Sequence, residues 1–219
     1  MSQAPSLTTF VVGERLPWPD GSAVGDDARA FDPAVVYQAG FAKKCSLRRI
    51  SALGAIVRGE LENDPEQPIA LELETGQRPA GTIAWQESGE TGICFKEPVN
   101  LVALITRKLV SQPVERRAVP RVEVRCDAWI KDGEEFAAAT LRNISARGLQ
   151  LEGDPLPPAG ATISLFVEGL NIPPGEIVWR KDNLAGVELQ NDLSWATIIP
   201  WIRTLLRADA QSGGPAPAA

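Results

Sequence analysis

Ile144-Ser145-Ala146-Arg147-Gly148 repeats the pattern of Ile50-Ser51-Ala52-Leu53-Gly54 at a distance of 94 residues, and this recurrence decides how the chain is read. The same shift carries Gly81-Thr82-Ile83-Ala84-Trp85 onto Gly175-Glu176-Ile177-Val178-Trp179, and Gly92-Ile93 onto Gly186-Val187. It also carries Leu101, Leu104 and Ile105 onto Trp195, Ile198 and Ile199. One offset holding over about 55 residues without a gap predicts two copies of one domain.

Around the repeat, each copy reads as short strands followed by a helix. In the second copy Val122, Val124, Cys126, Ala128 and Ile130 alternate with Glu123, Arg125, Asp127 and Trp129, the period of a half-buried antiparallel strand. Leu149 and Leu151, then Ile163, Leu165 and Val167, then Ile177 to Trp179 and Val187 to Leu189, continue the set. Pro155, Pro157, Pro158, Pro173 and Pro174 mark the turns.

The spacing then becomes helical at Trp195, Ile198, Ile199, Ile202, Leu205 and Leu206, with Asp192 or Ser194 placed to cap it and Pro200 expected to kink or restart it. Leu101, Leu104, Ile105 and Leu109 form the matching stripe of the first copy. Many short strands and one closing helix predict a mainly β chain of two small tandem barrels, since closure removes exposed sheet edges. The copies are placed at residues 20–110 and 111–208, with a tail rich in Pro, Gly and Ala at 209–219 expected to be disordered.

The 219 residues are 44% apolar and 23% charged, a globular composition, and the formal net charge is −6. An acidic chain is not expected to attract nucleic acid or anionic membranes in general, so any anion site must be local. The absence of histidine removes Ser-His-Asp and Cys-His arrangements and His-containing metal sites. Cys45, Cys94 and Cys126 are far apart and odd in number, which predicts buried thiols in a reducing compartment and neither a disulfide framework nor a zinc knuckle. Met1-Ser2-Gln3-Ala4-Pro5-Ser6 has no basic n-region, and no stretch approaches about 18 apolar residues, so a cytoplasmic protein without membrane insertion is expected.

The two copies differ most at polar positions. The second carries Glu115-Arg116-Arg117-Ala118-Val119-Pro120-Arg121 ahead of its first strand, preceded by Arg107 and Lys108. Shifted by 94, Ser22, Ala23 and Asp27 stand opposite Arg116, Arg117 and Arg121. Asn143-x-Ser145-x-x-Gly148 likewise becomes Arg49-x-Ser51-x-x-Gly54, a cation in place of an amide. Guanidinium groups present planar donor forks that match phosphate oxygens and the O6/N7 edge of guanine. An asparagine adds an acceptor and donors, a serine a hydroxyl, and a glycine close access to backbone. Pro120 restrains the arginine segment and lowers the ordering entropy lost on binding.

Arg117-x-x-x-Arg121 followed by Asn143-x-Ser145-x-x-Gly148 resembles the paired RxxxR and (D/N)xSxxG motifs of the PilZ domain family, over about Val114 to Arg207. The resemblance implies a six-stranded antiparallel barrel with a C-terminal helix that binds the bacterial second messenger cyclic di-GMP. It implies that Arg117 and Arg121 contact phosphate and guanine, that Asn143 and Ser145 hydrogen-bond a guanine, and that Gly148 leaves room for it. Arg116, just ahead of the motif, implies space for a stacked pair of ligand molecules. The first copy resembles a degenerate member without independent ligand binding, with a structural or protein-facing role.

Each of these residues also has a plainer role to be weighed. The arginines make sense as a solvated linker paired with Glu115 and Glu123, Asn143 and Ser145 as turn residues, and Gly54 and Gly148 as a shared bend. Trp85 and Trp179 are expected in core or barrel-rim packing rather than base stacking, and Arg147 on a solvated face. The expectation is a receptor, not an enzyme, with no catalytic residues, metal or cofactor, acting through an unidentified protein effector and without nucleic acid. The alternative is a ligand-independent adaptor. A dinucleotide hydrolase lacks histidine and clustered carboxylates, and a single-stranded nucleic-acid binder is disfavoured by the net charge.

Overall fold

The structure is a computed structural model that describes residues 8–13, 31–59, 61, 67–111 and 120–212. The chain divides into two compact units, Met1–Pro120 and Arg121–Ala219. The first contains β1 (Thr9–Val11), β2 (Asp32–Gln38), β3 (Phe41–Ile50), β4 (Gly54–Arg58), β5 (Ile69–Leu73), β6 (Ala80–Glu87), β7 (Glu90–Phe95) and α1 (Leu101–Ser111). The second contains β8 (Arg121–Asp132), β9 (Glu135–Ile144), β10 (Gly148–Glu152), β11 (Thr162–Val167), β12 (Leu170–Asn171), β13 (Gly175–Lys181), β14 (Leu184–Leu189) and α2 (Trp195–Ser212).

In the second unit β8 pairs with β9, β9 with β10, β10 with β14, β14 with β13, β13 with β11, and β11 returns to β8. Every pairing is antiparallel, so six strands close into a barrel without a free edge. The alternating residues send Val122, Val124, Ala128, Ile130, Leu149, Leu151, Ile163 and Ile177 into the core. Burying the valine, leucine and isoleucine side chains among them stabilises the unit by about 1.5–3 kcal/mol each. The sixth strand, β9, is one that alternation does not mark, because its Phe136-Ala137-Ala138-Ala139 run offers no contrast between faces.

Bulges interrupt the ladder between Glu123 and Cys126 on β8 and at the β9–β10 step opposite Gln150 and Leu151. Cys126 stands at the first of these and is half-buried, as is Cys94, so of the three thiols only Cys45 is buried as expected. Burial pushes the Cys45 thiol up to about 12 and that of Cys126 up to about 11, with the Asp127 charge adding to the second.

The first unit's pairings also return on themselves, running β3, β2, β5, β6, β7, β4 and back to β3. Its register reappears in the second unit at the 94-residue shift. Arg49 opposite Ile56 matches Asn143 opposite Gln150, and Ala34 opposite Leu73 matches Ala128 opposite Val167. Trp85 opposite Gly92 matches Trp179 opposite Gly186, each beside a bulge. One strand of the first unit has no counterpart in the second: β1 pairs in parallel with β3, Thr9 opposite Arg49 and Phe10 opposite Ile50.

Helix α1 is capped by Asn100, whose Oδ1 accepts the Ala103 amide at 3.0 Å. Helix α2 is capped by Ser194, whose Oγ accepts the Ala196 amide at 3.2 Å. Helix α2 is continuous through Pro200, so it does not restart there. Pro200 is the sixth residue of α2, so its ring removes the amide donor that would bond the Ala196 carbonyl. The buried face is also narrower than the apolar stripe: Ile198, Trp201 and Ile202 are buried, while Trp195, Ile199, Leu205 and Leu206 are half-buried. Trp201, outside the expected stripe, donates its Nε1 to the Glu168 carbonyl at 3.0 Å. Residues 213–219, part of the expected tail, lie outside the described residues.

Candidate functional site

The turn between β9 and β10 is built from Ser145 to Gly148. The Ser145 amide and hydroxyl both donate to the Gly148 carbonyl, at 2.9 and 3.1 Å. The Arg147 carbonyl accepts the Leu189 amide at 2.9 Å and the Ala146 carbonyl accepts the Leu193 amide at 2.7 Å, which ties the turn to the end of β14 and the approach to α2. Gly148 is required for this closeness: a Cβ there would stand 2.6 Å from the Val187 carbonyl oxygen. Its glycine therefore serves the barrel directly, whatever else it leaves room for.

Beside the turn, on the outer face, Asn143 of β9 lies between Glu123 of β8 and Gln150 of β10. Its Nδ2 donates to Gln150 Oε1 at 3.2 Å, which leaves Oδ1 as the open acceptor. Arg121 is the first residue of β8, exposed, two positions along the same face from Glu123. Among the described residues it has no hydrogen bond or ion pair. The register thus brings Arg121, Asn143, Ser145 and Gly148 to one end of one barrel face. A guanidinium, an amide and a hydroxyl at the rim of a closed turn form a hydrogen-bonding set suited to recognition.

A second polar group continues along that face. Arg142 Nη1 is hydrogen-bonded to Glu152 Oε2, Arg125 Nη2 lies 3.5 Å from the same oxygen, and Asn183 Nδ2 donates to Oε1 at 3.1 Å. The Arg142 hydrogen bond, reinforced by both guanidinium charges, holds the Glu152 carboxyl below the ordinary carboxylate value. The sequence marks Glu123 only as a partner for the arginines and does not mark Gln150 as a site residue. Period-2 alternation with Leu149 and Leu151 assigns Gln150 outward, but only the register places it against Asn143.

Other expected participants lie elsewhere. Arg116 and Arg117 are outside the described residues. Arg107 donates to the Thr75 carbonyl at 3.1 Å, and Lys108 is bonded to Asp32 and lies 3.5 Å from Glu74, so both cations serve the first unit. Arg147 is exposed, 3.5 Å from Asp192, as a solvated residue should be. Trp179 lies over the outer surface of β14, where a Cβ at Gly186 would meet its Nε1 at 2.0 Å, and Trp85 lies over Gly92 in the same way. These indoles pack on the barrel wall and not in the core.

In the first unit the equivalent turn is intact. The Ser51 amide donates to the Gly54 carbonyl at 2.8 Å, and the Ser51 Oγ accepts the Leu53 and Gly54 amides at 3.2 and 3.1 Å. Arg49, which stands where the second unit has Asn143, is buried. β1 occupies the strand edge beside it, the place that the first residues of β8 hold beside Asn143.

Residues 115–202 match the family model described as the PilZ domain. No curated protein matches the chain. The solved structures to which the chain is similar include Borreliella burgdorferi PlzA in complex with c-di-GMP, at 10% identity, covering 80% of this chain and 87% of that one with a TM-score of 0.32. They also include the Bacillus subtilis inhibitor of motility MotI/DgrA, at 15% identity, 84% and 99% coverage and a TM-score of 0.29. A third is Escherichia coli YcgR in complex with c-di-GMP, at 12% identity, 85% and 87% coverage and a TM-score of 0.29.

Proposed function

From the match of residues 115–202 to the PilZ domain model, we propose that the chain is a cytoplasmic bacterial receptor for cyclic di-GMP, without enzymatic activity, that signals through a protein partner. The observation that carries the reading is the convergence of Arg121, Asn143, Ser145 and Gly148 at one end of the second barrel. Arg117 and Arg121 hold phosphate and guanine, Asn143 Oδ1 and the Ser145 hydroxyl bond a guanine edge, and Arg116 accommodates a second, stacked ligand molecule. Guanidinium forks supply charge-assisted donors that a neutral rim lacks.

The first unit is read as a degenerate tandem copy of the same domain. Its register at the 94-residue shift supports the kinship, and the burial of Arg49, on the strand beside β1, supports the loss of binding. Because the arginines stand in the segment that connects the copies, ordering them around the dinucleotide favours one interdomain orientation over others. Motility, exopolysaccharide production or virulence is the output, and the acidic net charge argues against nucleic acid as the partner.

The adaptor reading is favoured by one observation: Asn143 and Ser145 already have partners within the barrel. Isothermal titration calorimetry with cyclic di-GMP, with GTP and cyclic di-AMP as controls, separates the two. Selective binding that is lost in the Arg117→Ala/Arg121→Ala variant is expected. Absence of heat with the wild-type protein would leave the adaptor, and unchanged affinity in the variant would overturn the site.

A further inference from the structure

The second unit carries a second surface that the ligand motifs do not touch. Trp129, Phe136 and Phe166 are 55%, 59% and 51% exposed, although aromatic rings of this size are ordinarily buried. They stand on three adjacent strands. Phe166 of β11 lies opposite Trp129 of β8, Phe136 of β9 lies opposite Lys131 of β8, and the two phenylalanine rings are 6.2 Å apart. Three outward aromatics in one cluster form an apolar patch of the kind that marks an interaction site, and aromatic residues dominate the energetics of such interfaces.

Phe136 also forms the lip of a groove of about 300 Å³ floored by Ile130 and Leu156 and walled by prolines 155, 157 and 158. Its only charged lining residues are Asp132 and Glu135, and neither has an ion pair among the described residues. Glu134 and Glu168 are exposed nearby in the chain, at the β8–β9 turn and just beyond β11. The patch is therefore aromatic with an acidic border. Lys131 sits with Nζ 5.5 Å from the Phe136 ring centre, so that ring face is placed to receive positive charge, while the Arg180 guanidinium is engaged on the Leu156 carbonyl at 2.6 Å.

This combination selects its occupant. A second copy docked by twofold symmetry would bring Asp132, Glu134 and Glu135 against an identical acidic border, which is repulsive. Anionic lipid or nucleic acid meets the same repulsion. We propose that the Trp129, Phe136 and Phe166 face and its adjoining groove dock a segment of a partner protein in which arginine or lysine flanks apolar side chains. The apolar residues cover the aromatics, and the cation reaches Asp132 and Glu135 in the groove. This names the partner class for the output half of the proposed function and requires no bound messenger.

The test is selection of a random dodecapeptide phage library on the full chain without cyclic di-GMP, with counter-selection on the Trp129→Ser/Phe136→Ser variant. Enriched sequences should pair Arg or Lys with apolar residues. A synthetic peptide of the enriched sequence should bind about tenfold more weakly to the Asp132→Asn/Glu135→Gln variant, which keeps every aromatic, and more weakly with added salt. Enrichment that is equal on the serine variant, or that favours neutral or acidic peptides, overturns the proposal. So does concentration-dependent self-association in sedimentation that the serine variant abolishes, since a second copy is then the occupant. Cyclic di-GMP titration of the same variants should match the wild type; wild-type failure to bind the messenger sinks the receptor reading and leaves this surface standing.

Discussion

Asn143 Nδ2 and Gln150 Oε1 are 3.2 Å apart across the β9–β10 pair, and this contact fixes which way the asparagine amide faces. With Nδ2 engaged, Oδ1 is presented as an acceptor, the group that guanine N1–H and N2–H₂ require. Asn143→Ala removes the acceptor, whereas Gln150→Leu removes only what orients it. Cyclic di-GMP affinity should fall by tenfold or more in the first, and by roughly fivefold in the second, the worth of about one neutral hydrogen bond. Calorimetry on both variants checks the order; equal affinity in all three proteins would remove Asn143 from the site.

Gly148 and Gly186 make predictions of different size from the same kind of crowding. A Cβ at Gly148 meets the Val187 backbone carbonyl at 2.6 Å, which cannot move without opening the β10–β14 ladder. A Cβ at Gly186 meets the Trp179 indole at 2.0 Å, but that side chain is 42% exposed and free to swing outward. Gly148→Ala should therefore destabilise the second unit by about 1–3 kcal/mol and Gly186→Ala by less, despite the shorter contact. Urea unfolding of the two variants decides it, and Gly186→Ala should cost less still in a Trp179→Ala background.

Much of the second barrel is legible in sequence because its strands bury one face, and alternation at Val122 to Ile130 or Leu149 to Leu151 records which. β9 escapes because consecutive alanines carry no such record. β1 escapes because three residues are too few for a period, and its parallel pairing with β3 depends on a contact across 40 residues of sequence that no local pattern encodes. At the site, the motif residues are readable as types, but Gln150 and Glu123 become neighbours of Asn143 only through register and bulges. Trp201 escapes because it lies between the stripe positions and is buried by β12 and its flanking turn, an effect of tertiary packing.

Glu152 should impose an acid limit on stability. Its carboxyl is held below the ordinary 4.5 by Arg142, so the folded chain binds fewer protons than the unfolded one just under that value. The stabilisation is therefore complete above about pH 4.5 and is lost as pH falls through the depressed folded value. Partial exposure keeps the effect modest. Denaturant midpoints at about pH 6 and pH 3.5 should differ more for the wild type than for Glu152→Gln; an identical difference would show that this carboxylate contributes nothing to the acid limb.

The thiols set the alkaline limit in the opposite sense. Cys45 and Cys126 are pushed up to about 12 and about 11, above the ordinary 9. Between those values the unfolded chain releases protons that the folded chain keeps, so stability falls as pH rises past about 9. At pH 8 both are protonated, and Cys45 is also buried. Iodoacetamide at that pH should leave Cys45 unmodified until the protein unfolds and should label Cys126 slowly, as read by peptide mass spectrometry. Rapid native-state modification of Cys45 would contradict its burial.

Restoring the missing amide to the first unit should not restore a site. Ser51 and Gly54 already hold the turn in the geometry of Ser145 and Gly148, so Arg49→Asn completes the second motif there by sequence alone. Yet β1 fills the edge beside residue 49, where the second unit has the start of β8 and its arginine. The variant should therefore bind cyclic di-GMP with the same stoichiometry as the wild type, because a site needs the guanidinium on the neighbouring strand as well as the acceptor on the turn. An added binding event in calorimetry would mean that the acceptor alone suffices and that β1 yields to the ligand. Unaltered stoichiometry that rises only when residues 1–13 are also removed would assign the block to β1 itself.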